Sequence, residues 1–221
     1  MYSNCCILKG SVMHDFPKDI FTEPQGYSIN TLENLGPFTG MAGIWEGVRG
    51  TDLKPKVDGP KEQAYVERIE LQPIDPQTNG PQLFYGLRYH THITKPDQVK
   101  TYHDQVGYWL WEPATGSIIH TLTIPRGMTT MACGKATSSD KQFELHAKEG
   151  DPCAGISSSP FLDYAFKTVE FHIQVKINAD GIWSYEQDTV LKIKDQEKLF
   201  HHIDKNTLYK IGEATPNPLA R

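Results

Sequence analysis

The feature that most constrains the fold of this chain is a regular alternation of apolar and polar residues. The clearest case is residues 168–177, where every second side chain is apolar: Val169, Phe171, Ile173, Val175 and Ile177. A period of two places these side chains on one face of a β-strand. The following Asn178–Gly181 is typical of a hairpin turn, and residues 183–191 alternate again. The pattern therefore predicts two antiparallel strands that share an apolar face.

Similar segments recur along most of the chain from Gly43 onward. Further strands are predicted at residues 64–73, 83–93, 103–111, 117–124, 128–134, 141–147 and 199–211. The turns between them are short, which favours an up-and-down order, whereas Thr51–Gln63 reads as a longer connection and Ser157–Pro160 as a polar loop. Strands with one apolar face must close on themselves or pack on a second sheet. We predict an all-β fold, an antiparallel up-and-down β-barrel of about eight to ten strands with room for one small ligand.

The first forty residues differ from the rest in their mixture of Pro, Gly and Asn. We interpret residues 1–40 as an N-terminal arm that packs on the outside of the barrel or closes one of its ends. A helical turn is predicted at Thr31–Leu35, with Thr31 as its cap. Residues 41–213 form the predicted barrel domain and residues 214–221 a C-terminal tail.

Composition excludes several classes of function. The formal net charge of −5 argues against phosphate-directed nucleic-acid binding, and no apolar run approaches the roughly 18 residues that span a bilayer. The four cysteines match no zinc motif, and the adjacent Cys5 and Cys6 are interpreted as tail residues rather than redox-active thiols. The N-terminus does not support an export signal, so a cytoplasmic location is expected. Signatures of a catalytic nucleophile or a phosphate-binding loop are absent from the sequence.

Four segments together indicate a particular kind of barrel. They are Gly43-Ile44-Trp45 with its continuation to Gly50, Tyr102–Tyr108, Arg126-Gly127-Met128, and Phe200–Leu208. In this order they resemble the nitrobindin family, heme-binding β-barrels with a fatty-acid-binding-protein-like fold, and especially a bacterial branch of it, over about residues 40–211. The resemblance implies ferric heme b, reversible binding of nitric oxide, and isomerisation of peroxynitrite to nitrate. It leaves a homodimer open.

The resemblance also implies which residues meet the heme. The family's iron-ligating histidine on the last strand matches His202, although alternation alone does not choose between His201 and His202. A pocket-lining histidine matches His103, with Tyr102 beside it. Trp45, Arg126 and Met128 are the other candidate cofactor-binding residues.

The remaining candidates are weighed by the face they share. His120 alternates with apolar residues and is expected in the core, whereas His90 and His92 share a face with an arginine and are expected outside. Glu67 is expected to point inward, where a lone carboxylate is costly unless it is paired. One interpretation is a predicted Glu67–Arg126 pair, a polar pocket floor suited to a carboxylate ligand or a heme propionate; the other is that Arg126 is a loop residue in water.

Three functions follow from these patterns. The first is a heme-binding barrel that handles nitric oxide or peroxynitrite. The second is a heme-free carrier of a small apolar or amphipathic ligand, with Arg126 or Glu67 fixing its polar end. The third is a structural barrel whose edge or N-terminal arm binds a protein partner.

Overall fold

The structure is a computed structural model that describes residues 17–216. Cys5 and Cys6, the beginning of the predicted arm and the end of the predicted tail lie outside the described residues. Twelve strands and one short α-helix follow along the chain: β1 (Gly43–Lys54), β2 (Lys61–Pro73), β3 (Gln77–Asn79), β4 (Gln82–Thr94), β5 (Thr101–Glu112), β6 (Ser117–Ile124), β7 (Met128–Lys135), β8 (Gln142–Lys148), β9 (Ile156–Ser158), α1 (Pro160–Ala165), β10 (Phe166–Ala179), β11 (Ile182–Ile193) and β12 (Phe200–Gly212).

Ten of these strands form a closed antiparallel barrel. Its order is β1-β2-β4-β5-β6-β7-β8-β10-β11-β12, and β12 returns to pair with β1. The short strands β3 and β9 lie outside this circuit, against β4 and β7. The predicted up-and-down barrel of eight to ten strands is confirmed, because consecutive strands are neighbours and each of the ten pairs with a strand on both sides, although β7 pairs with β8 only at Cys133 and His146.

The predicted alternation sets which side chains face inward. On β11, alternation places five side chains on one face, and this face turns into the barrel: Trp183, Tyr185, Gln187, Thr189 and Leu191. Predicted strand 117–124 coincides with β6. Two expectations about loops are wrong: Thr51–Gln63 contains the end of β1 and the start of β2, and Ser157–Pro160 contains the end of β9 and the start of α1.

The segment before β1 closes one end of the barrel. It forms two 3-10 helices, Thr31–Glu33 and Gly36–Met41. Leu35, between them, and Phe38 and Met41, in the second, lie in the core with no exposed surface. Phe38 packs edge-on against the rings of Trp109 and Phe143, with centroid distances of 5.6 and 5.4 Å. The predicted helical turn is present, but Thr31 does not cap it: its hydroxyl donates to the Ile74 carbonyl at 2.6 Å, and Asn30 occupies the cap position.

Candidate functional site

The barrel encloses a cavity of about 560 Å³, within the range of small-molecule sites. Its inner part is lined by apolar and aromatic side chains, among them Leu71, Trp109, Leu122, Phe171, Ile173 and Trp183. Its mouth lies opposite the end closed by Phe38, where β1 ends and β12 begins, and several charged side chains gather there. The cavity is therefore suited to a small ligand with an apolar body and a polar end.

His202 lies at this mouth, on β12, and its ring contacts two carboxylates. Its Nε2 atom is 2.7 Å from Asp52 Oδ1 and 3.6 Å from Asp204 Oδ2. Asp52 is only 3% exposed and also accepts a hydrogen bond from the Tyr102 hydroxyl. These contacts hold the imidazole in one orientation at the edge of the cavity.

The charges of this cluster depend on one another. Burial alone would lower the pKa of His202, but the hydrogen bond that His202 donates to Asp52 and the charges of Asp204 and Asp52 offset it and raise the pKa. Burial would raise the pKa of Asp52, but hydrogen bonds from His202 and Tyr102 lower it below its usual value. Burial raises the pKa of Asp204 to about 7, with His202 opposing the shift. Asp52 is thus the carboxylate that remains ionised beside the imidazole.

Asp52 was not among the predicted site residues, and a β-bulge explains why. Gly47 lies opposite Glu67 and Gly50 lies opposite Tyr65, so β1 carries one extra residue between these pairs. The extra residue reverses the alternation of β1, and Asp52 faces inward although the pattern that begins at Trp45 would place it outside. An irregular glycine spacing, Gly47 and Gly50, was the available signal.

A second bulge brings both Tyr102 and His103 into the cavity lining. Ile93 pairs with His103 while Thr94 pairs with Thr101, so Tyr102 is the extra residue on β5. His103 Nε2 is 3.2 Å from Gln105 Oε1, and burial lowers the pKa of His103.

The other predicted cofactor residues divide into two groups. Arg126 and Met128 line the cavity, where Arg126 Nη2 donates to the Tyr102 carbonyl at 2.9 Å. Trp45 does not line it: its indole N–H donates to the Met41 carbonyl at 2.7 Å, and its ring packs edge-on against Trp183. Trp45 therefore belongs to the closed end of the barrel, because it is the third residue of β1 and β1 starts at that end.

The three other histidines for which alternation predicted a face, His120, His90 and His92, lie on that face. His120 is 1% exposed, stacks on Trp109 at 3.9 Å and contacts the Tyr89 hydroxyl through Nε2 at 2.8 Å. Burial lowers the pKa of His120 to about 3, so it stays neutral. His90 and His92 lie on the outer wall and bond Asp104 and Thr101.

His201 and His202 lie on opposite sides of the barrel wall. His201 is exposed, and its Nδ1 atom is 2.6 Å from Asp188 Oδ2. His202 lines the cavity. Only His202 of the two can reach a ligand inside the barrel.

Glu67 faces inward as predicted, but the predicted Glu67–Arg126 pair does not form. Glu67 is 2% exposed, and its Oε2 atom accepts hydrogen bonds from Tyr185 and Asn206. Arg126 instead contacts a backbone carbonyl at the mouth. The Tyr185 hydroxyl of β11 and the Asn206 amide of β12 take the place of the expected cation. They reach Glu67 because the barrel closes through the pairing of β12 with β1.

The sequence model of the THAP4-like heme-binding β-barrel domain matches residues 34–210 of the 221-residue chain. The chain belongs to the nitrobindin family. This family's model begins within the segment that closes the barrel end and stops just before the end of β12. The heme-binding family relationship predicted from the four sequence segments is thereby confirmed.

A solved structure supports the same fold. The crystal structure of Rv2717c from M. tuberculosis superposes with a TM-score of 0.56 at 21% identity, covering 82% of this chain and 98% of that one. No curated protein is similar enough to the chain to count as a match. Among residues 17–216, no helix combines the length and apolar character needed to cross a membrane.

The residues at the cavity mouth fit the heme group of this family. His202 supplies an imidazole, and Lys54, Lys95 and Arg126 line the same end, where cations suit the two carboxylates of a heme. The apolar walls below them, such as Ile124, suit the flat ring. The cavity mouth therefore offers a ligand for the iron, cations for the heme carboxylates and an apolar surface for the ring.

Proposed function

We propose that this chain binds ferric heme b at the cavity mouth, where His202 would ligate the iron. The observation that carries this proposal is the position of His202. Its imidazole lies at the mouth of an apolar cavity and is held there by the buried carboxylate of Asp52. A histidine that ligates a metal commonly gives its other ring N–H to such a carboxylate.

Asp52 has a defined task in this arrangement. It accepts a hydrogen bond from Nε2–H of His202, which leaves the lone pair of a neutral ring on Nδ1. Lys54 and Arg126, which line the mouth, would neutralise the two carboxylates of the heme, and the apolar wall would limit the access of water. When bound, ferric heme b supplies an iron with an open position for nitric oxide, where peroxynitrite can be isomerised to nitrate.

The test is a titration of the protein with hemin, followed by absorption. We expect a saturable Soret band at about one equivalent, lost or clearly shifted in His202→Ala because the axial ligand is gone. His201→Ala is the matched control: it removes the neighbouring imidazole from the outer face and should leave the spectrum unchanged. Unsaturable binding, or a spectrum insensitive to His202→Ala, would reject the assignment.

A second variant tests the role of the buried carboxylate. We expect Asp52→Asn to weaken hemin affinity by about tenfold to a hundredfold, the usual effect of removing a partner of a ligating histidine. Asp188→Asn removes the corresponding carboxylate from His201 and should leave the affinity unchanged. Equal hemin affinities for Asp52→Asn and the wild type would show that the carboxylate does not support the ligand.

A heme-free carrier of a small apolar or amphipathic ligand is the second candidate. It is favoured by the depth of the cavity, whose lining continues from His202 to Trp183 near the closed end. Extraction of the purified protein and mass spectrometry of the extract would identify such a ligand. A stoichiometric organic molecule in protein that fails to bind hemin would favour this candidate over the first.

A further inference from the structure

The inner part of the cavity contains the buried carboxylate of Glu67, whose two oxygens differ in their hydrogen bonds. The Tyr185 hydroxyl donates to Glu67 Oε2 at 2.9 Å, and Asn206 Nδ2 donates to the same oxygen at 3.0 Å. Tyr65 extends the network, with its hydroxyl 2.8 Å from that of Tyr185. Within the part of the chain that the structure describes, Glu67 Oε1 takes part in no hydrogen bond, and Glu67 lines the cavity.

The backbone around this carboxylate leaves room for its network. A Cβ atom at Gly47 would collide with the side-chain amide of Asn206, and one at Gly50 would collide with the ring of Tyr65. The bulge between these two glycines therefore accommodates both side chains beside Glu67. This arrangement indicates a built site rather than a carboxylate buried by accident.

Glu67 has no cationic partner among residues 17–216. The cations that line the cavity, such as Lys54 and Arg126, lie at its mouth with His202. Asn206, which bonds Glu67, is four residues beyond His202 on β12, a separation of about 13 Å in an extended strand. A buried carboxylate without a counter-ion is costly, and a ligand with positive charge would remove that cost.

Aromatic rings surround the same part of the cavity. Tyr65 and Tyr185 bond each other beside Glu67, and the ring of Trp183 lies 6.0 Å from that of Tyr185. All three rings line the cavity. A carboxylate among electron-rich rings is the chemistry that recognises organic ammonium ions, because the rings attract a cation while the carboxylate accepts its N–H bonds.

We propose that the inner part of the cavity binds a small organic ammonium ion, whose N–H donates to Glu67 Oε1 and whose apolar body packs against Tyr65, Tyr185 and Trp183. Burial and the charge of Asp204 raise the pKa of Glu67 to about 7, with the bonds from Asn206 and Tyr185 opposing the shift, so a bound cation would favour the ionised form. Because Arg126 bonds the Tyr102 carbonyl and does not neutralise Glu67, the charge that Glu67 would accept from a ligand is positive. Glu67 lies deeper in the cavity than His202, the residue that is proposed to hold the heme at the mouth.

The test compares two probes of nearly equal shape on heme-free protein at about pH 8, where Glu67 is mostly ionised. Calorimetric titration with 2-phenylethylammonium and with 2-phenylethanol should show the ammonium binding at least about tenfold more tightly. In Glu67→Gln, which keeps the size of the side chain, the two probes should bind with similar affinity. Glu62→Gln, which changes an exposed carboxylate of β2, should keep the preference.

Three results would overturn the proposal. They are no saturable binding of the ammonium probe, equal or tighter binding of the alcohol in the wild type, and a preference that survives Glu67→Gln. Retained binding of the alcohol by Glu67→Gln would show that the variant is folded. Because hemin is absent from this experiment, its result is independent of whether the mouth binds heme.

Discussion

Replacing Phe38 with alanine is expected to lower the free energy of unfolding by about 3–5 kcal/mol. Phe38 has no exposed surface and packs edge-on against Trp109 and Phe143 at the closed end of the barrel. The substitution removes the ring and leaves a cavity, because the surrounding strands are held by their ladders and relax only in part. Urea denaturation followed by tryptophan fluorescence measures the loss.

The control for this variant is another phenylalanine that barely contacts the core. Phe161 in α1 is 66% exposed, so Phe161→Ala should change stability by no more than about 0.5 kcal/mol. Phe38→Leu, which keeps much of the buried volume, should lie between the two. A Phe38→Ala protein as stable as the wild type would show that the segment before β1 is not needed to close the barrel.

Strand positions follow from this sequence because burial on one side imposes a period of two. On β11, the alternating side chains from Trp183 to Leu191 share one face, which lines the cavity, and on β6 even the boundaries agree. The strands β3 and β9 escape prediction because each has only three residues, too few to show a period. Pro160 likewise begins a helix of six residues where a loop was predicted.

The site itself was predictable only in part because two bulges interrupt the alternation. His202 and His103 are on the strands and faces predicted by the resemblance, whereas Asp52 is reached only after the extra residue in β1. Tyr102 faces the cavity beside His103 for the same reason. A bulge depends on the pairing of two strands, and a single strand's pattern does not contain that information.

The partner of Glu67 illustrates a different limit. Alternation was enough to place this carboxylate inside, but its hydrogen-bond donors, Tyr185 and Asn206, are more than a hundred residues away in sequence. They reach Glu67 only because β12 closes the barrel against β1. Long-range closure, rather than local pattern, determines which polar groups meet inside the barrel.

Because Glu67 ionises with difficulty inside the barrel, Glu67→Gln is expected to make stability less dependent on pH. Burial raises the pKa of Glu67 from 4.5 to about 7, only partly offset by its two hydrogen bonds. The folded state therefore binds the proton more tightly than the unfolded state, and this contribution to stability is complete below about pH 4.5 and lost as the pH rises through about 7. Over that range the wild type should lose about 3 kcal/mol that Glu67→Gln does not lose.

The measurement is a series of urea denaturations between about pH 4 and pH 8, with the two proteins compared at each pH so that the other titrating groups cancel. The glutamine oxygen can still accept from Tyr185 and Asn206, which isolates the effect of charge. Glu62→Gln, on the exposed face of the same strand, should follow the wild type throughout. Parallel curves for Glu67→Gln and the wild type would mean that Glu67 is no harder to ionise in the folded barrel than in the unfolded chain, and the argument for a counter-charged ligand at this position would lose its energetic basis.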